Sequence, residues 1–207
     1  MHSHFIPSVM STITYSGRMR VMVFVDGGYL ETKLKTAWGK DITVNYPAFR
    51  ANIMGYVQKG DSGVSGYLLR IYYYDAIEEG VKRPEQEAKH DLINNSDFFE
   101  LRLGRIKRDA DGRPRQKGVD ALIAIDMVTK AYQNHYDIAV LLAGDDDFLD
   151  VVKAVKNAGK QVFGFYFEKP TSPSKELKNS FDMKHAIDDN FATQIRTPQT
   201  PKMKRLA

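Results

Sequence analysis

Short apolar runs alternate with longer helical stretches along most of this 207-residue chain, and that alternation constrains the fold more than any other feature. The segments Arg20–Val25 (RVMVFV), Leu68–Tyr74 (LLRIYYY), Ile138–Ala143 (IAVLLA) and Gln161–Phe167 (QVFGFYF) are apolar and rich in β-branched or aromatic residues. Such near-continuous apolar runs mark strands covered on both faces. Phe98–Ile106 alternates enough for a further strand, and the charged stretch 107–116, with Gly112 and Pro114, reads as a polar loop. Between the strands, Pro47–Gln58 sets Phe49, Ile53, Met54 and Val57 at helical spacing, and Pro84–Asn94 opens with proline at a first helical position. Val119–Tyr132 is a long, largely apolar helix, and the helix expected over Asp146–Asn157 stops at Ala158-Gly159. Strands separated by helices of this length predict an α/β fold with a mainly parallel central sheet flanked by helices.

Composition narrows the class further. With 43% hydrophobic and 27% charged residues the chain has globular proportions. The absence of cysteine removes disulfides, thiolate metal sites and a cysteine nucleophile, and fits a reducing compartment. No apolar run approaches the roughly 20 residues of a bilayer span, and the first sixteen residues carry no apolar signal core. The expectation is a cytoplasmic protein with no membrane partner. Its organisation reads as a flexible segment over 1–18, one domain over 19–190, and a basic disordered tail over 191–207 carrying Thr197-Pro198 and Thr200-Pro201.

The net charge of +4 conceals its own distribution. Arg102 to Lys117 holds seven basic residues against two acids, and Arg196 to Ala207 holds four against none, so the remaining body carries −5. Arg105, Arg108, Arg113 and Arg115 suit the neutralisation of backbone phosphates, and Lys117, three residues before Asp120, could reach a phosphate near that aspartate. Tyr72, Tyr73 and Tyr74 invite a base-stacking reading, but their place inside a strand favours core packing.

The acids are the informative residues. Ligands of open α/β sheets bind at the carboxyl ends of the strands, and Asp26, Asp75 and Asp145-Asp146-Asp147 each follow a strand while Asp120 opens a helix. Each alone also fits a turn or a helix cap. Two carboxylates about 4 Å apart repel by roughly 1 kcal/mol in water and about 4 kcal/mol at an effective dielectric near 20. Several gathered on one rim need a cation, and an all-oxygen donor set favours Mg²⁺ or Mn²⁺. Asp126 lies about 120° round its helix from Asp120, at 100° per residue, and reads as a surface or supporting residue. Rival phosphate chemistries fit less well. No G-x-x-x-x-G-K-[ST] or G-x-G-x-x-G loop is present, a haloacid-dehalogenase-like site would need a second Asp where Gly28 stands, and a Toprim-like site would begin with a Glu where Asp26 stands.

Three segments, Val23-Phe24-Val25-Asp26-Gly27-Gly28-Tyr29-Leu30, Lys117-Gly118-Val119-Asp120 and Leu142-Ala143-Gly144-Asp145-Asp146-Asp147-Phe148, resemble in order and spacing the signatures of NYN domains, the PIN-like nuclease folds of the LabA-like group. The resemblance covers Arg20 to Phe167. It implies a Rossmann-like PIN fold and a metal-dependent ribonuclease, with Asp26, Asp120, Asp145 and Asp147 at the family's acidic positions as catalytic and metal-binding residues. Mg²⁺ or Mn²⁺ would be the cofactor and RNA, single-stranded or structured such as tRNA, the partner, with Lys117, Tyr29, Arg105, Arg108, Arg113 and Arg115 facing it. Tyr29 is a departure, since the family commonly has Asn there, and an aromatic hydroxyl lacks an amide's paired donor and acceptor. A non-catalytic RNA- or protein-binding module on the same fold is the alternative, and the sequence is compatible with a homodimer.

Overall fold

The computed structural model describes residues 17–39, 42–59, 65–78, 80–108 and 114–197. The expected flexible start up to residue 16, and the tail beyond 197, lie outside the described residues. One seven-stranded sheet organises the rest, in the order β4-β3-β2-β1-β5-β6-β7. Its strands are β1 (Met19–Asp26), β2 (Gly66–Ile77), β3 (Phe99–Arg108), β4 (Pro114–Lys117), β5 (Ile138–Leu142), β6 (Gln161–Phe167) and β7 (Met183–Ile187). Six are parallel, and β4 alone runs antiparallel, against β3.

The order follows from the apolar content of the strands. β5 is buried at every residue and Val21, Val23, Phe24 and Val25 of β1 are inaccessible, so both belong in the middle of the sheet. Helices must then cover both faces. On one side lie α1 (Gly27–Trp38), α2 (Tyr46–Lys59), α3 (Pro84–Asn94) and α7 (Asp189–Gln194), which bring Leu30, Leu34, Phe49, Ile53, Val57, Ile93 and Phe191 onto Val23, Val25, Val140 and Leu142. On the other lie α4 (Val119–Tyr132), α5 (Leu149–Asn157) and α6 (Lys175–Ser180). Val119, Ile123, Met127 and Ala131 of α4, four apart, form its buried stripe. Each such side chain contributes about 1.5–3 kcal/mol by leaving water. Tyr73 and Tyr74 are inaccessible and Tyr72 nearly so, hence the three tyrosines belong to the core.

Several boundaries differ from expectation. β2 runs on to Ile77, so Asp75 lies inside it, paired with Leu103 of β3, rather than after it. The stretch read as a polar loop contains the end of β3 and all of β4, joined by the register Arg105–Lys117 and Lys107–Arg115. Such a polar ladder has no apolar alternation to announce it. The helix expected from Asp146 begins as a single 3-10 turn, Asp146–Phe148, before α5. The domain limit expected at residue 190 falls inside α7, where Phe191, Ala192 and, just beyond, Ile195 are buried. No helix among the described residues is long and apolar enough to cross a membrane.

Two ionic ties fix the layers. At the amino ends of the strands Arg20 forks onto Asp137, with Nη2 and Oδ1 2.8 Å apart, and donates from Nη1 to the Asn134 carbonyl at 2.6 Å. At the other end the buried Asp75 accepts from Lys89 at 2.6 Å, from His90 Nε2 at 2.8 Å and from the Ala76 amide at 2.8 Å. Lys89 also bridges to Glu31 of α1, which accepts from the Tyr73 hydroxyl at 3.1 Å. Burial opposes ionisation of Asp75, but Lys89, His90 and the amide outweigh it and hold its carboxyl below the ordinary range. Removing one partner of a buried pair costs about 3–5 kcal/mol. Asp75→Ala should therefore lower the unfolding free energy by about 3 kcal/mol near neutral pH. Because the folded value is depressed, that contribution is complete above the unfolded value of about 4 and disappears as pH falls through the folded one. Denaturant titrations of both proteins at pH 7 and in acid would show the gap closing.

Candidate functional site

The sheet reverses its winding between β1 and β5. From β1 the chain moves outward through β2 and β3, and after β4 it crosses on α4 to the opposite side of β1. The carboxyl ends of β1 and β5 flank the switch point where open α/β sheets bind ligands. Asp26 ends β1. Gly144 and Asp145 follow β5, and Asp120 lies in the first turn of α4.

Local physics fixes these acids. Asp26 caps α1, its Oδ1 accepting from the Tyr29 amide at 2.9 Å. The helix begins at once with Gly27, where a Cβ would strike the Tyr73 ring and the Tyr74 carbonyl. Asp145 caps the 3-10 turn, accepting from the Asp147 amide at 3.0 Å. Asp120 is no cap, since Gly118 in left-handed conformation (φ 86°) precedes α4. It therefore stands in the first helical turn, where the helix dipole favours an anion.

The electrostatics tie them into one group. Burial, aided by repulsion from Asp120 and Asp145, pushes the Asp26 carboxyl up to about 6 against the relief of its amide hydrogen bonds. Asp120 is likewise raised, by burial and by repulsion from Asp145 and Asp147. Asp120, Asp145 and Asp147 are exposed, and among the residues whose side chains are described no Lys or Arg pairs with any of the four. The contrast with Asp75 is sharp: that carboxylate points into the α1–α3 face and is consumed by Lys89, His90 and Ala76. Asp146 is also engaged, accepting from the Ser174 amide at 3.0 Å, and Asp126 joins layers by accepting from the Tyr74 hydroxyl at 2.8 Å.

The donor chemistry fits a hard divalent cation, being all carboxylate oxygen and, among the residues whose side chains are described, without a paired counter-charge. The side chains as they stand are not drawn together: among the described residues no three of His, Asp or Glu are placed to hold one ion. Three of the four acids, Asp120, Asp145 and Asp147, are exposed, so their side chains are free of the packing that fixes a buried rotamer.

Of the residues expected to face a substrate, Arg105 is exposed on β3, three positions beyond Arg102, which lies one strand over from Tyr74 and two over from Asp26. Arg108, Arg115 and Lys117 lie on the backbone of β3 and β4, and Arg113 lies outside the described residues. Tyr29 is half-buried beside the Asp145 turn. Its ring packs edge-on against Phe167, with centroids 5.8 Å apart, and its hydroxyl oxygen accepts from the Phe167 amide at 3.0 Å. Sequence reading missed Glu31, Lys89 and His90, whose association with one another and with Asp75 spans 14 to 58 residues and leaves no local pattern.

A doubly wound parallel sheet with carboxylates at its switch point defines a PIN-like α/β fold. The chain matches the NYN domain family over residues 20–188, and it belongs to that family, whose PIN-like members are generally nucleases. It is 39% identical over 75 residues, 36% of its length, to the uncharacterized protein y4oD of Sinorhizobium fredii (strain NBRC 101917 / NGR234), and this match spans 33% of that protein. The crystal structure of a protein of unknown function, VPA0982 from Vibrio parahaemolyticus RIMD 2210633, superposes with a TM-score of 0.65 at 20% identity, covering 88% of this chain and 98% of that one. That likeness extends to the fold.

The raised Asp26 carries a stability consequence. An acid whose folded value lies above its unfolded one leaves the fold undisturbed below about 4 and weakens it as pH rises through about 6. Asp26→Asn keeps the capping oxygen and removes the charge, so it should stabilise the metal-free protein by about 2 kcal/mol at pH 7.5 and by nothing near pH 4. Thermal melts of the two proteins across that range, in chelator, would show it.

Proposed function

We propose that this protein is a metal-dependent ribonuclease. The observation that carries the reading is the group of four aspartates at the switch point, where Asp120 and Asp145 oppose ionisation of Asp26 and Asp145 and Asp147 oppose that of Asp120, in a chain of the NYN family. Asp26, Asp120, Asp145 and Asp147 would hold Mg²⁺ or Mn²⁺, which when bound supplies neutralisation of phosphate charge and a more acidic water. The chain's own residues do the rest. Asp26 is fixed by its cap and is the least exposed of the four. Asp145 is held by its own cap, which leaves its second carboxylate oxygen free, while Asp147 makes no side-chain bond among the described residues.

The β3–β4 hairpin supports a polyanionic substrate. Its register sets Arg105 opposite Lys117 and Lys107 opposite Arg115, so basic positions face one another along the ladder. It continues β3 beyond the level of Asp26, so a strand of RNA held there would pass over the acidic rim. Contacts of this kind bind phosphate without reading sequence.

A second reading follows from the uncollected carboxylates: an RNA-binding module without turnover. The two are separated by incubating structured and single-stranded RNAs and DNAs with Mn²⁺, using the native protein and Asp145→Asn, which preserves the cap. The nuclease reading expects cleavage of RNA by the native protein, its loss in chelator, and a drop of at least about 100-fold in Asp145→Asn. Equal cleavage by both proteins, or none by either, would overturn it, and undiminished RNA affinity without cleavage would favour the module. Arg105→Ala should weaken RNA binding across sequences and reduce the salt slope by about 0.7, the loss of one phosphate contact on a single strand. Binding titrations from low to moderate salt would read that slope.

A further inference from the structure

The pairing of β1 with β5 ends at Val25 and Leu142. Beyond it, no backbone ladder sets the distance between Asp26 and the turn carrying Asp145 and Asp147. One side chain occupies that gap. Tyr29 donates its amide to Asp26, lays its ring against Gly144, and takes the Phe167 amide on its hydroxyl. A Cβ at Gly144 would overlap the ring, so ring and turn backbone are in direct contact. Lys33, one turn further along α1, places its ammonium 5.5 Å above the ring centre and donates to the Thr171 carbonyl at 2.6 Å, closing the far side. The ends of β1, β5 and β6 therefore meet on one residue.

We infer that Tyr29 is a positioning residue, an aromatic strut whose thickness sets the spacing between Asp26 and the Asp145–Asp147 turn. The inference rests on the metal-dependent reading of the aspartates and adds to it the device that spaces them. The link to Asp26 is made by the backbone amide of Tyr29, and the length of its side chain is what carries contact on to Gly144 and Phe167. The two parts of the side chain have separable duties. The ring holds the turn away from α1, and the hydroxyl satisfies the amide of Phe167, a residue with almost no exposure. Gly144 is the matching half, because only a residue without a side chain lets the turn rest on the ring.

The full-length protein tests this through Tyr29→Phe, Tyr29→Asn, Gly144→Ala and the double variant Tyr29→Asn/Gly144→Ala. Tyr136→Phe serves as a control, since its buried hydroxyl donates to the Met127 carbonyl away from the rim. Calorimetric titration with Mn²⁺ alone and thermal melts are the readouts. Tyr29→Phe and Tyr136→Phe should each lower Tm by a few degrees and leave Mn²⁺ affinity within about twofold, because the strut is intact in both. Tyr29→Asn should weaken Mn²⁺ by at least about tenfold while remaining folded, and Gly144→Ala should do the same. In the double variant the two losses should fall well short of their product, since the alanine enters space the ring has vacated. A folded Tyr29→Asn with native Mn²⁺ affinity would overturn the inference. If that variant does not fold, Gly144→Ala decides, and native affinity with native Tm there overturns it. If the native protein binds no Mn²⁺, the metal reading fails by itself. The strut is then judged by Tm coupling between positions 29 and 144, and additive effects would sink it.

Discussion

Parallel strands cannot be joined by tight turns, and this constraint governs the whole molecule. Each return to the start of the next strand takes a helical crossover, which covers one face and leaves the carboxyl ends of the strands as a rim. Where the crossovers change sides, between β1 and β5, no helix is directed over the rim and the strand ends part. Asp26, Asp120, Asp145 and Asp147 occupy that opening. Their position is a consequence of winding order, because β1 and β5 are neighbours only through a connection of more than a hundred residues.

Carboxylates of two kinds stand within a few residues of one another in the sheet. Asp75, one position past the residue paired with Asp26, is buried and matched by Lys89 and His90, and its charge strengthens the fold. Asp26 is partly buried and, among the residues whose side chains are described, matched only by amides, and its charge weakens the fold. Strand alternation separates them: successive residues face opposite sides, so one side chain meets α1 and α3 and the other the open crevice. A single period-two step thus divides a structural acid from a functional candidate.

The strands β1, β5 and β6 and the helices α3 and α4 were legible in the sequence because burial on both faces, or a proline start and a stripe four apart, writes itself locally. The rim aspartates were legible for the same reason, since each ends a recognisable strand or opens a recognisable helix. What could not be read was short or distant. β7 mixes polar and apolar residues over five positions, and α6 and α7 have six residues each, too few for a helical period to register. Asp75 was placed after its strand because the polar residue looked like a terminus, whereas pairing with β3 carries the strand two residues further. The contact of Tyr29 with Phe167 spans 138 residues, and nothing near either position announces it.

The chain holds one tryptophan, Trp38, at the last position of α1. Its ring centre lies 6.0 Å from that of Phe167, the residue whose amide rests on the Tyr29 hydroxyl, and its indole nitrogen donates to Asp189 at 2.9 Å. The sole tryptophan is thus packed beside Phe167, the partner of the residue on which three strand ends meet, and bonded to the helix that closes the sheet. A change at that junction would alter the surroundings of the indole, so Trp38 is placed to serve as an intrinsic optical gauge of the rim.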